Sequence, residues 1–375
     1  MTSSSYLRRV EEALAAIRAQ NRYREIPDAQ HRFVADFSTN DYLALAADSR
    51  MVEAMRHVKR VGSGGARLLG GNHREHALLE ADVARWLERE SALLFSSGYM
   101  AALGAIPALA TLVRAIYSDA LNHASLIDGI RAAKVPCDVF AHTALPPKAA
   151  RAHPALIVTE SLFGMDGDTV DVPALVEDLH VDDILLVDEA HALGVFGAQG
   201  AGLAHGARDE RVLILGTLGK AIGAAGGFIA GPASVIELLV NRARTFVFDT
   251  APPPAIAFAA RVGIMLGRGA EDRRARLFAN AARLRAGLRE LGVFGREDGF
   301  ANAMQSPIVP VIAGDEQRAI ELMQRCAKRG LNVPAIRPPT VPPGTSRLRI
   351  SVRADHTDEH LALLLEQLAC CTAFS

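Results

Sequence analysis

Apolar residues recur at steps of three and four near the start of the chain. Leu7, Val10, Leu14 and Ile17 share one face, which predicts an amphipathic helix over residues 3–21. From about residue 50 to 250 the pattern changes to short apolar runs alternating with helical stretches. SALLFSSG, AIYSDA, ALIVTES, DILLVDEAH, RVLILGTLGK and GGFIAG each hold a strand-like run followed by Gly, Ser, Asp or Asn. Near-continuous apolar strands separated by helices are covered on both faces, so they predict an α/β fold with a mostly parallel sheet. Ligands of such sheets bind at the carboxyl ends of the strands, where these polar residues gather. The run APPPA, Ala251 to Ala255, breaks the pattern. Beyond it, a long helical stretch and the strand-like SPIVPVIAG and SRLRISVRA predict a smaller α+β C-terminal domain. The expected division is an N-terminal helix and arm over 1–35, a large domain over 36–255 and a small domain over 256–375.

Composition narrows the classes open to the chain. Of 375 residues, 50% are hydrophobic and 22% charged, enough apolar material for a substantial core. Lys and Arg number 41 against 42 Asp and Glu, a formal charge of −1, which argues against a broad nucleic-acid or membrane-surface footprint. No apolar run approaches the ~20 residues of a membrane span. The most apolar stretch, Ala101 to Val113, is interrupted by Gly104, Pro107 and Thr111 and ended by Arg114. The first residues carry charges at helical spacing and no apolar block, so a soluble, cytoplasmic protein is expected. The cysteines, Cys137, Cys326, Cys370 and Cys371, show no CxxC spacing, and neither a disulfide framework nor a metal site is expected.

Two segments suggest chemistry. In Ile184-Leu-Leu-Val-Asp188-Glu189-Ala190-His191 an acid closes a buried strand with a histidine three residues on. A DEAH-type helicase would need a phosphate loop GxxxxGK[ST], but the Gly219-Lys220 pair has Ile214 where the first glycine belongs and Ala221 after the lysine. A dinucleotide fingerprint is also absent, since Gly62-Ser-Gly64 continues to Arg67. In Leu213 to Gly227 a lysine, Lys220, follows an apolar strand through a Gly/Thr turn. A desolvated lysine can lose its proton and form a Schiff base. Acid and lysine, 32 residues apart at strand ends, together suit pyridoxal 5′-phosphate: Asp188 would keep the pyridine nitrogen protonated and Lys220 would carry the aldehyde. Phe95-Ser96-Ser97-Gly98-Tyr99-Met100, a strand end turning into a helix, is a natural phosphate seat. His123, in Ser118 to Asp128, could stack on the ring.

Over essentially its whole length the chain resembles the α-oxoamine synthases, pyridoxal-phosphate enzymes of fold type I. The resemblance rests on FSTNDYLAL (37–45), GSGGARLLGGNH (62–73), FSSGYMAALG (95–104), SDALNHASLIDG (118–129), TESLFGMDGD (159–168), VDEAHALGVFGAQGAG (187–202), GTLGKAIGAAGG (216–227) and RLRIS (347–351). It implies a fold type I transferase, with a mostly parallel seven-stranded sheet in the large domain, acting as a homodimer with active sites at the interface. It also implies residue roles. Lys220 would bond the cofactor covalently, Asp188 would pair with the pyridine nitrogen, His191 would bond the phenolic oxygen and His123 would stack on the ring. Thr217, with the Gly98–Tyr99 turn, would hold the phosphate, and Thr250 would reach a phosphate across the dimer. Asn40 and Arg349 would bind the substrate carboxylate, with Arg347 a strand-face charge beside it. Glu160 would be an active-site acid, Arg24 a substrate-binding arginine near the entrance, and Ser351 a contact for the acyl substrate.

Two residues depart from the family pattern. Gly164 stands where relatives have a serine that helps bind the phenolic oxygen, so one hydrogen bond is expected to be missing or replaced by water. Asp249 stands where relatives tend to have Ser or Thr, an unwelcome acid if it faces a phosphate. Within the family, GSGGARLLGGNH with Asn72-His73 at its end is most similar to members that condense L-alanine with a pimeloyl thioester, releasing CO2 and the free thiol. Condensation of glycine with an acetyl thioester is the alternative. Outside the family stand an aminotransferase and a non-catalytic scaffold.

Overall fold

The computed structural model describes residues 5–28, 32–293 and 306–369; Cys370 and Cys371, and the first residues of the expected N-terminal helix, lie outside them. The chain forms two compact units. A central unit comprises Asn40–Leu277 with Arg353–Asp355, and a terminal unit comprises Met1–Thr39, Phe278–Val352 and His356–Ser375. Among the described residues no helix is long and apolar enough to cross a membrane.

Seven strands build the sheet of the central unit: β1 (Ser91–Phe95), β2 (Ala115–Asp119), β3 (Cys137–Phe140), β4 (Ala155–Glu160), β5 (Ile184–Asp188), β6 (Val212–Thr217) and β7 (Gly227–Gly231). Their order is β1-β7-β6-β5-β4-β2-β3. Strand β7 runs antiparallel to both neighbours, and β2 to β6 are mutually parallel. Six of the strands are the apolar runs of the sequence. Successive side chains alternate between two cores: Leu185, Val187, Ile214 and Phe228 meet Leu79, Val83, Trp86, Ala257 and Ile264, whereas Leu186, Leu213, Leu215 and Ile229 meet Ala102, Ile106 and Leu126. Both faces are apolar because both are covered by helices, which is why these strands read as unbroken hydrophobic runs. Each such side chain contributes roughly 1.5–3 kcal/mol when removed from water.

The proline run does not end this unit. It leads into the helix Pro254–Arg268, whose Ala257, Ala260 and Ile264 pack on the helix Arg74–Trp86, and the unit closes only at Leu277. Proline has no N–H to donate, so it is suited to the first turn of a helix as well as to a linker.

In the terminal unit, β8 (Ile308–Gly314), β9 (Ala335–Ile336) and β10 (Ser346–Ser351) form an antiparallel sheet in the order β9-β10-β8. Ala35–Asp36 pairs in parallel with Leu331–Asn332. The helix Ser5–Ala19 is present, and none of its residues is buried. Arg347 is not an exposed strand-face charge: it is 4% exposed and its Nε donates to the Thr345 carbonyl.

Candidate active site

Parallel strands deliver their carboxyl ends to one edge of the sheet, and the polar residues of the central unit collect there. Glu160 and Asp188 are register partners at the ends of β4 and β5, and Asp188 is also paired with Leu215 of β6. Two residues past Leu215, Thr217 ends β6, and the turn beyond it carries Lys220. That turn is closed on itself. Leu218 N–H donates to Gly226 O, Ala224 N–H to Leu218 O and Gly223 N–H to Lys220 O. Gly223 has φ +71°, and a Cβ there would lie 2.5 Å from the Ala46 nitrogen, so the lysine turn rests directly on the backbone at Leu45–Ala46. The 40–46 turn is itself pinned. Leu45 and Ala46 N–H donate to the Asp41 carboxylate, while Arg273 donates to the carbonyls of Leu43 and Ala44.

Burial sets the charges of this group. The Glu160 carboxyl is pushed well above the ordinary carboxylate range, first by burial and then by Asp188; Lys220 and the N–H groups of His123 and Gly164 oppose this. Asp188 is raised by burial too, but Lys220, the Ala190 N–H and His123 pull it back. Of the two acids, Glu160 is therefore the one pushed further toward its neutral form. His123 is lowered, by burial first, with Lys220 adding to the effect and Asp188 opposing it. The backbone N–H of His123 donates to Glu160 Oε1 at 2.6 Å, and its ring nitrogen Nδ1 lies 2.8 Å from Ser125 Oγ at the start of the helix Ala124–Ala133. Tyr99 meets the His123 ring edge-on at 6.4 Å, its hydroxyl donating to Asp128.

The helix Gly98–Leu109 begins at the end of β1, with Ser97 as its N-cap accepting the Met100 N–H. The first N–H groups of a helix have no intrahelical partner and carry the positive end of its dipole. Gly98 and Tyr99 supply these groups. Thr217 borders them closely, since a Cβ on Gly98 would lie 3.4 Å from the Thr217 Cβ. Asp249 does face this turn: Ser96 Oγ donates to Asp249 Oδ2 at 2.6 Å, so the acid is occupied by a serine of the turn. Thr250, beside it, is exposed.

His191 sits after β5, 6% exposed, with Nδ1 2.7 Å from the Tyr42 hydroxyl. Its Nε2 edge faces Gly164: a Cβ there would fall far inside van der Waals contact with that nitrogen. The serine expected of relatives is therefore not simply replaced by empty space. The imidazole fills the room, and its other nitrogen is held by a tyrosine that the motif reading left unassigned.

These groups meet what pyridoxal 5′-phosphate asks of a protein: an amine, a carboxylate for the pyridine nitrogen, a flat group for the ring face and a set of N–H donors for the phosphate. Lys220, Asp188, His123 and the Gly98–Tyr99 helix start with Thr217 are groups of these kinds within one unit. Asn40 is also in this unit. Arg24, Arg349 and Ser351 belong to the terminal unit. Arg24 is exposed; Arg349 is buried on β10 and donates through Nη1 to Ser351 Oγ. Sequence reading also missed Glu189, whose carboxylate accepts N–H bonds from Leu203 and Ala204, and the His142–Asp119–Asp168 cluster. Their only signal was the presence of polar residues next to apolar runs.

The sheet order, the strand-end lysine and the paired acids define a fold type I pyridoxal-phosphate enzyme. The aminotransferase class I and II model matches residues 33–368, and the chain belongs to that family. It is 44% identical to the 8-amino-7-oxononanoate synthase of Methylococcus capsulatus over 95% of this chain and 96% of that protein. It is 41% identical to 8-amino-7-oxononanoate synthase 2 of Polaromonas sp. over 96% of both. Among solved structures, a serine palmitoyltransferase from S. paucimobilis with a bound PLP–myriocin aldimine superposes with a TM-score of 0.85. That protein is 26% identical, with all of both chains covered.

Proposed function

We propose that this chain, as a cytoplasmic homodimer, condenses L-alanine with a pimeloyl thioester to give 8-amino-7-oxononanoate, CO2 and the free thiol. The observation that carries this reading is the 44% and 41% identity to two 8-amino-7-oxononanoate synthases over nearly the full length of each. The serine palmitoyltransferase likeness, at 26%, supports the scaffold rather than the substrates.

When bound, pyridoxal 5′-phosphate supplies an electron sink for negative charge at the α-carbon of the amino acid. The residues divide the remaining work. Gly98 and Tyr99 N–H with the Thr217 hydroxyl bind the phosphate, with Thr250 added from the partner subunit. Asp188, drawn toward its charged form by Lys220, holds a proton on the pyridine nitrogen. His123 covers the ring face, and its lowered basicity keeps the imidazole neutral near pH 7. Glu160, pushed toward its neutral form by burial and by Asp188, lessens the negative charge beside Asp188. Asn40 and Arg349 hold the alanine carboxylate, the guanidinium by a two-pronged bond. Lys220 Nζ takes the α-proton and later returns one to the product carbon. Arg24 and Ser351 bind the acyl substrate.

The test is to load the purified protein with the cofactor, add L-alanine and pimeloyl-CoA, and analyse the products by mass spectrometry. A product of the expected mass with stoichiometric CO2 and free thiol is the expected result. Product from glycine and acetyl-CoA alone reassigns the substrates, and amino-group exchange without CO2 reassigns the chain to the aminotransferases.

A further inference from the structure

We propose that His142 is a positioning residue for the condensation, a cationic bridge that holds the segments of His123 and Gly164 against Glu160. This inference rests on the functional reading above. His142 follows β3, and each of its ring nitrogens meets an acid. Nδ1 lies 2.9 Å from Asp119 Oδ1, and Nε2 lies 2.6 Å from Asp168 Oδ2. A carboxylate accepts, so both nitrogens carry a proton and the ring is an imidazolium. The two acids outweigh burial and keep it charged at neutral pH. Phe163 meets the imidazole edge-on, with ring centres 4.4 Å apart.

Both acids stand on segments that reach the candidate site. Asp119 ends β2 and opens the turn to His123, and its carboxylate also accepts the N–H groups of Leu121 and Thr143. Asp168 stands on the hairpin that leaves β4 after Glu160. There Phe163 N–H donates to Asp168 O, Val170 N–H donates to Ser161 O, and Leu162 bridges Thr169. Asp168 Oδ1 is buried with no partner among the described residues, so the bond from His142 is what compensates this carboxylate. The same two segments converge on Glu160, whose carboxyl accepts the His123 N–H from the turn and the Gly164 N–H from the hairpin. Turn and hairpin are thus joined twice, by Glu160 and by His142. Hydrogen bonds between a cation and carboxylates are the stronger kind, and without the cation two acids are left on either side of a neutral group. His123 covers the cofactor ring in the functional reading and Glu160 pairs with Asp188 across the strands, so the bridge acts on the chemical step. Asn40, Arg349, Arg24 and Ser351, which hold the substrates in that reading, lie on other segments. Loss of the bridge therefore lowers kcat and spares KM.

His142→Gln keeps a polar side chain and removes the charge. In the cofactor-free protein, hydrogen exchange at the His123 and Gly164 amides is expected to quicken about tenfold or more, while Gly223 and Ala224 in the Lys220 turn keep their wild-type rates. In the loaded enzyme, kcat is expected to fall about thirtyfold, the scale of a misplaced group, with KM for L-alanine and for pimeloyl-CoA within about twofold. Asp168→Ala cuts the bridge at its other end and is expected to reproduce both changes, and the double variant to lose no more than either alone. Leu79→Ala is the control, since it weakens the fold through a core cavity and leaves the bridge intact. It is expected to keep wild-type kcat. A folded His142→Gln protein with wild-type exchange at His123 and Gly164 overturns the proposal. So does a loss carried by KM with kcat unchanged, or a kcat loss that Leu79→Ala shares. Should His142→Gln fail to fold, Asp168→Ala decides by the same readings. A wild-type protein that forms no product from L-alanine and pimeloyl-CoA refutes the functional reading, while exchange in the cofactor-free protein still decides the bridge.

Discussion

At the scale of single residues, Lys220 and Asp188 stand out in the sequence because each ends an apolar run with a group that such a run has no structural use for. Their partnership is physical as well as positional: Lys220 is the strongest influence holding the buried Asp188 toward its charged form. Lys220→Ala is expected to lower turnover by at least about a thousandfold, since it removes the group proposed to move the α-proton. Product formation measured by mass spectrometry checks this, with an unchanged melting temperature showing that the fold survived. Retained turnover would refute the assignment of Lys220. Tyr42 and the space at Gly164 were not legible in the same way. Tyr42 lies inside a quoted motif, yet its use depends on His191, 149 residues away in the chain. The motif likewise marks Gly164 as a loss of a serine, and only the approach of the imidazole shows that a side chain there would collide.

At the scale of elements, the buried strands were legible because burial on both faces leaves little but apolar residues. The edge strand β3 escaped: Val139 on it is 68% exposed and Asp138 interrupts the run, so no apolar signal remained. Close approach between loops leaves even less trace. Gly223 illustrates this, since its left-handed φ and its contact with Ala46 are properties of a turn pressed on another turn. Gly223→Ala would add both backbone strain and a collision with a peptide nitrogen. A cost of about 2–4 kcal/mol is expected, from roughly 1–3 for overpacking and a similar range for a strained backbone. Urea unfolding followed by circular dichroism checks the stability. A displaced Lys220 turn should also lower kcat more than it weakens cofactor binding. An unchanged midpoint would mean that the 40–46 turn yields to the extra methyl at no cost.

At the scale of the whole molecule, two groups of the central unit outside the candidate active site tie stability to pH. Burial draws the His142 imidazole down, but hydrogen bonds to Asp119 at 2.9 Å and Asp168 at 2.6 Å outweigh it and push the ring up to about 10. Glu189 is pushed up to about 7 by burial, against the N–H bonds from Leu203 and Ala204. Both hold a proton in the folded state that the unfolded chain has released, Glu189 between its ordinary 4.5 and about 7, His142 between 6.5 and about 10. Folding therefore binds a proton in each window, and stability must fall as pH rises through it, by at most about 1.4 kcal/mol per pH unit for each group. The Glu189 contribution is whole below pH 4.5 and gone above about 7; that of His142 is whole below 6.5 and gone above about 10. Asp48, held low by Arg50, works the other way, but only at pH values below its ordinary range. Trp86 is the single tryptophan and lies buried in the core of this unit, so its fluorescence reports the unfolding that matters. Urea midpoints should decline from pH 7 through 8.5 to 10; between pH 5 and 7 the loss at Glu189 is opposed by His76 and His123, whose lowered basicity adds stability as pH rises. Glu189→Gln should raise the pH 7 midpoint relative to the pH 5 midpoint, and His142→Gln should flatten the stretch from 7 to 10. A His142→Gln protein that keeps the full decline above pH 7 would show that the imidazolium between Asp119 and Asp168 is not what couples folding to pH there.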